Sequence, residues 1–356
     1  MIKVNQNFWK GKRVFITGFS GFKGSWLCIW LEKMEANIFG VSLAPNTTPS
    51  LYNLLYPNSY RSLIYGDISY YDKLSSYVEE VKPEIIIHMA AQPLVRYSYL
   101  NPIETYSTNI MGTINVLEVA RKSKSVKVLI NVTSDKCYEN FERIDGYKED
   151  DPMGGFDPYS SSKGCSELIT RAYENSYFKK LNKGIASVRS GNVIGGGDWS
   201  QDRLIPDFLK SLEKNSSVLI RNPNSVRPWQ HVLEPLSGYL VLAEKIFENY
   251  NDFSGAWNFG PKNKDSKSVR WIIEYLSKLW KNDSSWKIDS NDHPHETKHL
   301  TLDCSKANNY LGWEPKLTLE LALNMIFEWH KAFNLNSNMK LFTLQQIENY
   351  ENLNFE

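Results

Sequence analysis

Arg13-Val14-Phe15-Ile16-Thr17-Gly18-Phe19-Ser20-Gly21-Phe22-Lys23-Gly24-Ser25-Trp26 joins a β-branched run to a helical one through three glycines. Arg13 to Thr17 reads as a buried strand, and Trp26, Leu27, Ile29, Trp30, Leu31 and Met34 recur at helical spacing. Gly18, Gly21 and Gly24 give the spacing GxxGxxG rather than GxGxxG. Glycines placed between a strand and a helix allow a tight turn and bring backbone close to a pyrophosphate. The N–H groups at the helix start then face that negative charge. The stretch Gly18, Ser20, Gly21, Phe22, Lys23 and Gly24 is therefore expected to bind a dinucleotide.

Working outward, strands and helices alternate. Further strands are expected at 37–43, 62–66, 84–88, 126–132 and 185–188, with helical patterns at 70–82, 103–124 and 159–181. That alternation implies an α/β protein with a Rossmann-type, doubly wound parallel sheet covered on both faces. Residues 1–190 form its dinucleotide-binding domain, and 228–250 return to it. Short helices and polar segments at 191–227 and 251–333 read as a smaller mixed C-terminal substrate-binding lobe. The tail 334–356 is expected to be a peripheral helix or partly disordered.

An acid about 20 residues past the glycines would normally meet the adenosine ribose. Here the second strand ends Val41-Ser42-Leu43-Ala44, without Asp or Glu, and no Arg appears between the glycines and Arg61. NAD is preferred over NADP on that basis, with Ser42 or backbone groups on the ribose and a weakened hold as the consequence. Asp67 and Ile68, after the third strand, either flank the adenine or form a plain surface turn.

Tyr159 and Lys163, in Tyr-Ser-Ser-Ser-Lys, lie one turn apart on a helix face. An ammonium ~4 Å from a phenol is worth about 4 kcal/mol at an effective dielectric of 20. That is roughly three pK units, nearly enough to make a tyrosine a base at neutral pH.

Composition narrows the rest. The chain has 356 residues, with 41 Lys+Arg against 40 Asp+Glu, a net charge of +1. So even a balance argues against nucleic acid as a partner. No stretch approaches the ~20 apolar residues of a membrane span, and the N-terminus lacks a signal-peptide pattern. Cys28, Cys137, Cys165 and Cys304 are far apart, which fits reduced thiols in a cytoplasmic protein.

The chain resembles the extended short-chain dehydrogenase/reductase superfamily, and within it the CDP-glucose 4,6-dehydratase branch. The resemblance rests on the glycine stretch, on His88-Met89-Ala90-Ala91-Gln92, on Thr133-Ser134-Asp135-Lys136-Cys137-Tyr138 and on Asp157 to Gly164. It continues through Gly191-Asn192 to Trp199, Arg203 to Pro206, Ile220-Arg221-Asn222-Pro223, Arg227-Pro228-Trp229-Gln230-His231-Val232 and His295-Glu296. It implies conversion of CDP-D-glucose to CDP-4-dehydro-6-deoxy-D-glucose and water. NAD, tightly bound and regenerated each turnover, would carry hydride from C4 to C6. The product would feed dideoxysugar synthesis for bacterial surface polysaccharide.

The resemblance also assigns roles. Ser134 would position the hexose 4-OH, Asp135 protonate the departing 6-OH, and Lys136 stand where relatives carry a proton-accepting Glu. A protonated lysine cannot accept the C5 proton. Lys136 is thus neutralised, stabilises the enolate while another group takes the proton, or is an ordinary solvated lysine. Its proximity should also lower the pKa of Asp135, unless strand alternation separates the two side chains. Ala90, Ala91, Gln92 and Asn109 fall at the cofactor side, with Asn109 shaping the catalytic helix.

Arg203, Arg221 and Arg227 suit a diphosphate, because guanidinium bonds phosphate oxygens in pairs. Arg189 and Asn192 either face the diphosphate or, for Arg189, sit in the core. Trp229 and His231 are read as pocket walls, His295 as a substrate-binding residue, and His88 as a core histidine. No metal is expected, since redox-neutral dehydration needs none. The family implies a homo-oligomer, dimer or tetramer, through the helices 103–124 and 159–181. Alternatives are a dehydratase or 4-epimerase acting on dTDP-, GDP- or UDP-hexose, and, remotely, a dinucleotide sensor without turnover.

Overall fold

The computed structural model describes residues 2–353 apart from 59, 61, 144, 215, 282–285, 290 and 292–298. β1 (Arg13–Thr17), β2 (Asn37–Ser42), β3 (Leu63–Tyr65), β4 (Ile85–His88), β5 (Val128–Val132) and β6 (Gly184–Ser190) are joined by Gly255–Phe259 in one sheet. Its order is Gly255–Phe259, β6, β5, β4, β1, β2, β3, and every pairing is parallel. The order reverses at β1, which pairs with both β2 and β4. In such sheets the crevice beyond the strand ends at the reversal is where ligands settle.

Alternate residues feed opposite faces, as the two-residue period of a strand requires. Val14, Ile16, Ile85, Ile87, Val128 and Ile130 enter one core with Trp26, Leu27 and Trp30. Phe15, Ile86 and Leu129 enter the other, with Leu74, Val78, Val116 and Leu117. Helices Phe22–Lys33 and Leu233–Glu248 cover the first face; Tyr71–Val81 and Gly112–Lys122 cover the second. His88, at the end of β4, is buried and bonded on both ring nitrogens, to Thr17 Oγ1 at 2.6 Å and Thr113 Oγ1 at 3.1 Å.

The helix pattern 103–124 is interrupted. Pro102–Tyr106 and Gly112–Lys122 are α-helical, and Ser107–Met111 between them is a π turn. Pro158–Tyr173 likewise runs into a π turn at Glu174–Phe178.

A third core holds Ile205, Phe208, Ile220, Trp229, Ile272 and Leu276 together. It is built by helices Leu204–Glu213, Val269–Trp280 and Leu319–Asn334, with small strand pairs between 193 and 288. One boundary expected from sequence is corrected here. Gly255–Phe259 is not part of the lobe but the edge strand beside β6, where Trp257 and Phe259 bury their rings in the sheet core. Its Gly and Asn hid it from a reading by β-propensity.

The tail is ordered as a helix, Met339–Asn352. Ile347 and Tyr350 are buried, and Glu351 accepts from Trp30 Nε1 and Lys33 Nζ, both at 2.7 Å. Among the described residues no helix is long and apolar enough to cross a membrane, and no cluster of His, Cys, Asp or Glu could hold a metal ion.

Candidate active site

The ends of β1, β4, β5 and β6 open into one cleft of about 2120 Å³. A drug-sized ligand takes ~300–1,000 Å³, so a dinucleotide and a second ligand fit side by side. Gly18, Ser20, Gly21, Phe22, Lys23, Gly24, Ser42, Asp67, Ile68, Ala90 and Ala91 line it. So do Ser134, Asp135, Lys136, Tyr159 and Lys163, together with Asn192, Arg203, Arg221, Arg227 and Trp229.

The glycine turn has the form a dinucleotide needs. Gly18 has φ +76°, and a Cβ there would come within 2.7 Å of Ala90 N. A Cβ on Gly24 would overlap the carbonyl oxygen of Gly18, so the helix can approach the turn only as glycine. Gly21 caps the helix Phe22–Lys33 with no side-chain hydrogen bond, which leaves its first amides for a ligand. Ser42 is buried at the end of β2, and its Oγ is 2.7 Å from Ser20 Oγ. The residues present thus fit a dinucleotide, with Ser42 lining the cleft at the end of β2 and Lys23 in the first turn of the helix.

Two residues assigned to the cofactor side do not line the cleft. Gln92 and Asn109 are buried behind it, where Gln92 N donates to Asn109 Oδ1 at 2.8 Å and Asn109 Nδ2 donates to Ser162 Oγ at 2.8 Å. They tie the loop after β4 to the helix Pro158–Tyr173, and so set where Tyr159 and Lys163 stand. That helix starts at Asp157, whose Oδ1 accepts from Ser160 N at 2.9 Å, with Pro158 preset for the first turn.

The expected influence of Lys163 on Tyr159 is overturned in the ligand-free protein. Burial pushes the Tyr159 phenol up to about 12, against the pull of the Ser134 hydroxyl and the charge of Arg203; Asp135 adds to the rise. Lys163 Nζ donates instead to Val132 O at 3.3 Å, and burial lowers it to about 8. Desolvation exceeds the cation's attraction when no ligand supplies further charge.

Asp135 and Lys136 are not strand neighbours. Asp135–Cys137 is a 3₁₀ turn capped by Ser134, whose Oγ accepts from Lys136 N at 3.2 Å and donates to Asp135 Oδ1 at 3.1 Å. Asp135 is only 3% exposed, and its Oδ2 has no hydrogen-bond partner. Burial raises its pKa; Lys136, the Ser134 bond, Arg227 and Lys23 oppose the rise without cancelling it. Lys136 does pull this carboxyl down, as expected, but desolvation is the larger effect and sets the net direction. Ser134 and Asp135 form a hydrogen-bonded pair that lines the cleft together with Tyr159.

Arg189 and His231 leave the list of substrate contacts. Arg189 is buried in β6 against Glu167, with Nη2 to Oε2 at 2.8 Å and Nε to Oε1 at 3.0 Å, and also donates to Tyr138 Oη at 2.7 Å. Of its two readings, the core one holds. Glu167 was missed, although it continues the four-residue spacing of Tyr159 and Lys163 on the same helix face. Arg189→Met should cost about 3–5 kcal/mol by stranding that carboxylate, read as a lower urea midpoint. An unchanged midpoint with weaker substrate binding would return Arg189 to the cleft. His231 is buried beside Trp26, ring centroids 5.8 Å apart, and its Nδ1 accepts from Leu233 N. His295 lies outside the described residues.

Among the remaining cleft residues, Arg203 is held by Asp198 Oδ2 at 2.9 Å, and Trp229 Nε1 donates to Lys267 O at 3.1 Å. Arg96 and Asp202, both lining the cleft, form an ion pair at 2.8 Å. No motif foretold that contact, which joins residues 106 apart in sequence.

A glycine turn at the sheet's reversal, facing a tyrosine and lysine on the next helix, defines the class: an extended short-chain dehydrogenase/reductase. Residues 15–326 match the family model for GDP-mannose 4,6 dehydratase, and the chain belongs to that family. It is 52% identical, over 98% of both chains, to the CDP-glucose 4,6-dehydratase of Salmonella typhimurium. Among solved structures it is similar to dTDP-glucose 4,6-dehydratase from Bacillus anthracis in complex with NAD, with TM-score 0.76 and 21% identity over 93% of this chain and 100% of that one. An epimerase from Methanothermobacter thermautotrophicus superposes with TM-score 0.80 at 21% identity, covering 93% and 95%. The fold alone therefore does not separate dehydration from epimerisation.

Proposed function

We propose that this chain is an NAD-dependent CDP-glucose 4,6-dehydratase, yielding CDP-4-dehydro-6-deoxy-D-glucose and water in the cytoplasm. The observation that carries the reading is a buried carboxyl, Asp135, whose pKa burial raises and which lines the same cleft as Tyr159. An epimerase has no hydroxyl to expel and no use for such an acid. The nucleotide follows from the relative at 52% identity.

When bound, the nicotinamide supplies a site that accepts the C4 hydride and returns it to C6. The residues do the rest. Tyr159, once ionised, takes the proton of the 4-OH that Ser134 orients. The 4-ketone acidifies C5–H; that bond breaks, its electrons form the enone as C6–O breaks, and Asp135 gives its proton to the departing oxygen as water. Lys136, on the same wall, takes the C5 proton or steadies the enolate. Arg203, Arg221 and Arg227 would grip the diphosphate in the lobe formed by 191–227 and 260–333, with Asn192 and Trp229 beside the sugar.

We also propose that the chain self-associates. Leu100, Ile103, Met111 and Leu168 are exposed on segments that pack side by side and share a 2.8 Å bond between Tyr106 Oη and Ser161 Oγ.

The test of the reaction is isotopic. CDP-glucose carrying deuterium at C4 should give product with deuterium at C6, and solvent deuterium should enter C5. Loss of the C4 label to water would refute an internal transfer, and its return to C4 would make the protein an epimerase. Turnover of dTDP-, GDP- or UDP-glucose in preference to CDP-glucose would move the nucleotide assignment.

A further inference from the structure

The stretch Ser134-Asp135-Lys136 has little of its own to hold it. Asp135–Cys137 is a short 3₁₀ turn whose backbone closes on a long bond, Cys137 N to Ser134 O at 3.3 Å, and such turns bond poorly. Asp135 is buried with Oδ2 unpartnered, so a full set of bonds does not fix its carboxyl either. The residues on either side of the turn are held from outside it. Thr133 Oγ1, just before the turn, donates to Glu167 Oε1 at 2.5 Å. Tyr138 Oη, just after it, accepts from Arg189 Nη1 at 2.7 Å and donates to Asn258 Oδ1 at 2.7 Å. Glu167 and Arg189 are the buried ion pair described above, so one pair reaches both ends of the turn.

We infer that Thr133 and Tyr138 are positioning residues, through which the Glu167–Arg189 pair clamps both ends of the Ser134-Asp135-Lys136 turn to the helix that carries Tyr159 and Lys163. The inference rests on the functional reading above. Glu167 stands on that helix, one turn past Lys163, and Arg189 stands on β6, which pairs with β5. The turn, the helix and the sheet therefore meet at one ion pair, and the pair sets the wall that holds Ser134 and Asp135 against the wall that holds Tyr159. Burial works against the Glu167 anion, but the charge of Arg189 and hydrogen bonds from Arg189, Ser187 and Thr133 bring it below the ordinary carboxylate value. An ionised acceptor makes each of those bonds stronger than a neutral one would be. Both flanking hydroxyls are engaged by the pair, so they act on the reaction through the placement of Ser134 and Asp135. Misplacing a reacting group by about 1 Å costs on the order of a hundredfold in rate.

Thr133→Val keeps the shape of its side chain and removes the bond to Glu167; Tyr138→Phe removes the bond to Arg189 at the other end. With NAD and CDP-glucose, each variant should lower kcat by about tenfold to a hundredfold. The Kd values for NAD and for CDP, which carries no hexose, should stay within about twofold of the wild type. Single-turnover mixing should show oxidation and elimination slowed together, because Ser134 and Asp135 belong to the same turn. Thr133→Ser, which restores the hydroxyl, should bring kcat back to within about threefold of the wild type. Near-normal kcat in either Thr133→Val or Tyr138→Phe would overturn the assignment. So would NAD and CDP binding lost in step with kcat, the mark of general loosening, or a Thr133→Ser variant as slow as Thr133→Val. Failure of the wild type to turn over CDP-glucose while it binds NAD would instead overturn the functional reading, and this one with it.

Discussion

Tyr159→Phe should lower kcat by about a thousandfold, within the range that a positioned acid–base group supplies, while leaving NAD affinity within about threefold. The variant removes one oxygen. The ring that fills the start of the helix stays, as do the turn at Gly18–Gly24 and the Gln92–Asn109–Ser162 bonds that hold the helix in place. What is lost is the acceptor for the 4-OH proton, so oxidation should fail before elimination is reached. Single-turnover mixing of enzyme, NAD and CDP-glucose should then show no reduced coenzyme. In the wild type, burial holds the ligand-free phenol at about 12 and Lys163 at about 8. Because the base must be ionised to act, kcat should rise with pH, and that rising limb should vanish in Tyr159→Phe. Near-normal turnover would remove Tyr159 from the chemistry and point to another base in the cleft.

That experiment concerns a part of the site that was legible in the sequence, and the reason is local. The glycine turn, Tyr159 with Lys163, and Ser134-Asp135-Lys136 each sit within a few residues of one another, so spacing alone indicates what the chain brings together. The direction of the pKa shifts was not legible. Spacing places an ammonium near a phenol but says nothing of how deeply both are buried, and burial decided Tyr159, Lys163 and Asp135 alike. Arg189 shows a second limit. Its partner Glu167 lies 22 residues away, and only the parallel packing of β6 beside β5, under the catalytic helix, brings them within 2.8 Å. The edge strand Gly255–Phe259 is a third case, because its place depends on the chain leaving the sheet after β6 and returning some 65 residues later. Local pattern fixes which residues are chemically equipped; long-range packing sets the state in which they are held.

Asp135→Asn should separate the two halves of the reaction. The amide keeps the shape of the carboxyl and can still accept from Ser134 Oγ, now 3.1 Å from Oδ1, but it has no proton to give the departing 6-OH. Oxidation at C4 should proceed, elimination should fall by about a thousandfold, and reduced coenzyme should accumulate on the enzyme after one mixing with CDP-glucose. The same substitution should stabilise the fold. Burial raises Asp135 above the unfolded value, so the folded protein holds this proton more tightly than the unfolded chain. Stability on this account is lost as pH rises from the ordinary carboxylate value, roughly 3.9, through the folded one, so at neutral pH the raised pKa is a standing cost. Asparagine removes it. The urea midpoint of Asp135→Asn should therefore exceed that of the wild type at pH 7, with the gap closing toward pH 4. A lower midpoint at neutral pH, together with full elimination, would mean that Asp135 is an ordinary ionised carboxylate and that the acid for the 6-OH is elsewhere. A higher midpoint with elimination lost is the signature of a residue kept at some expense of stability because the chemistry needs its proton.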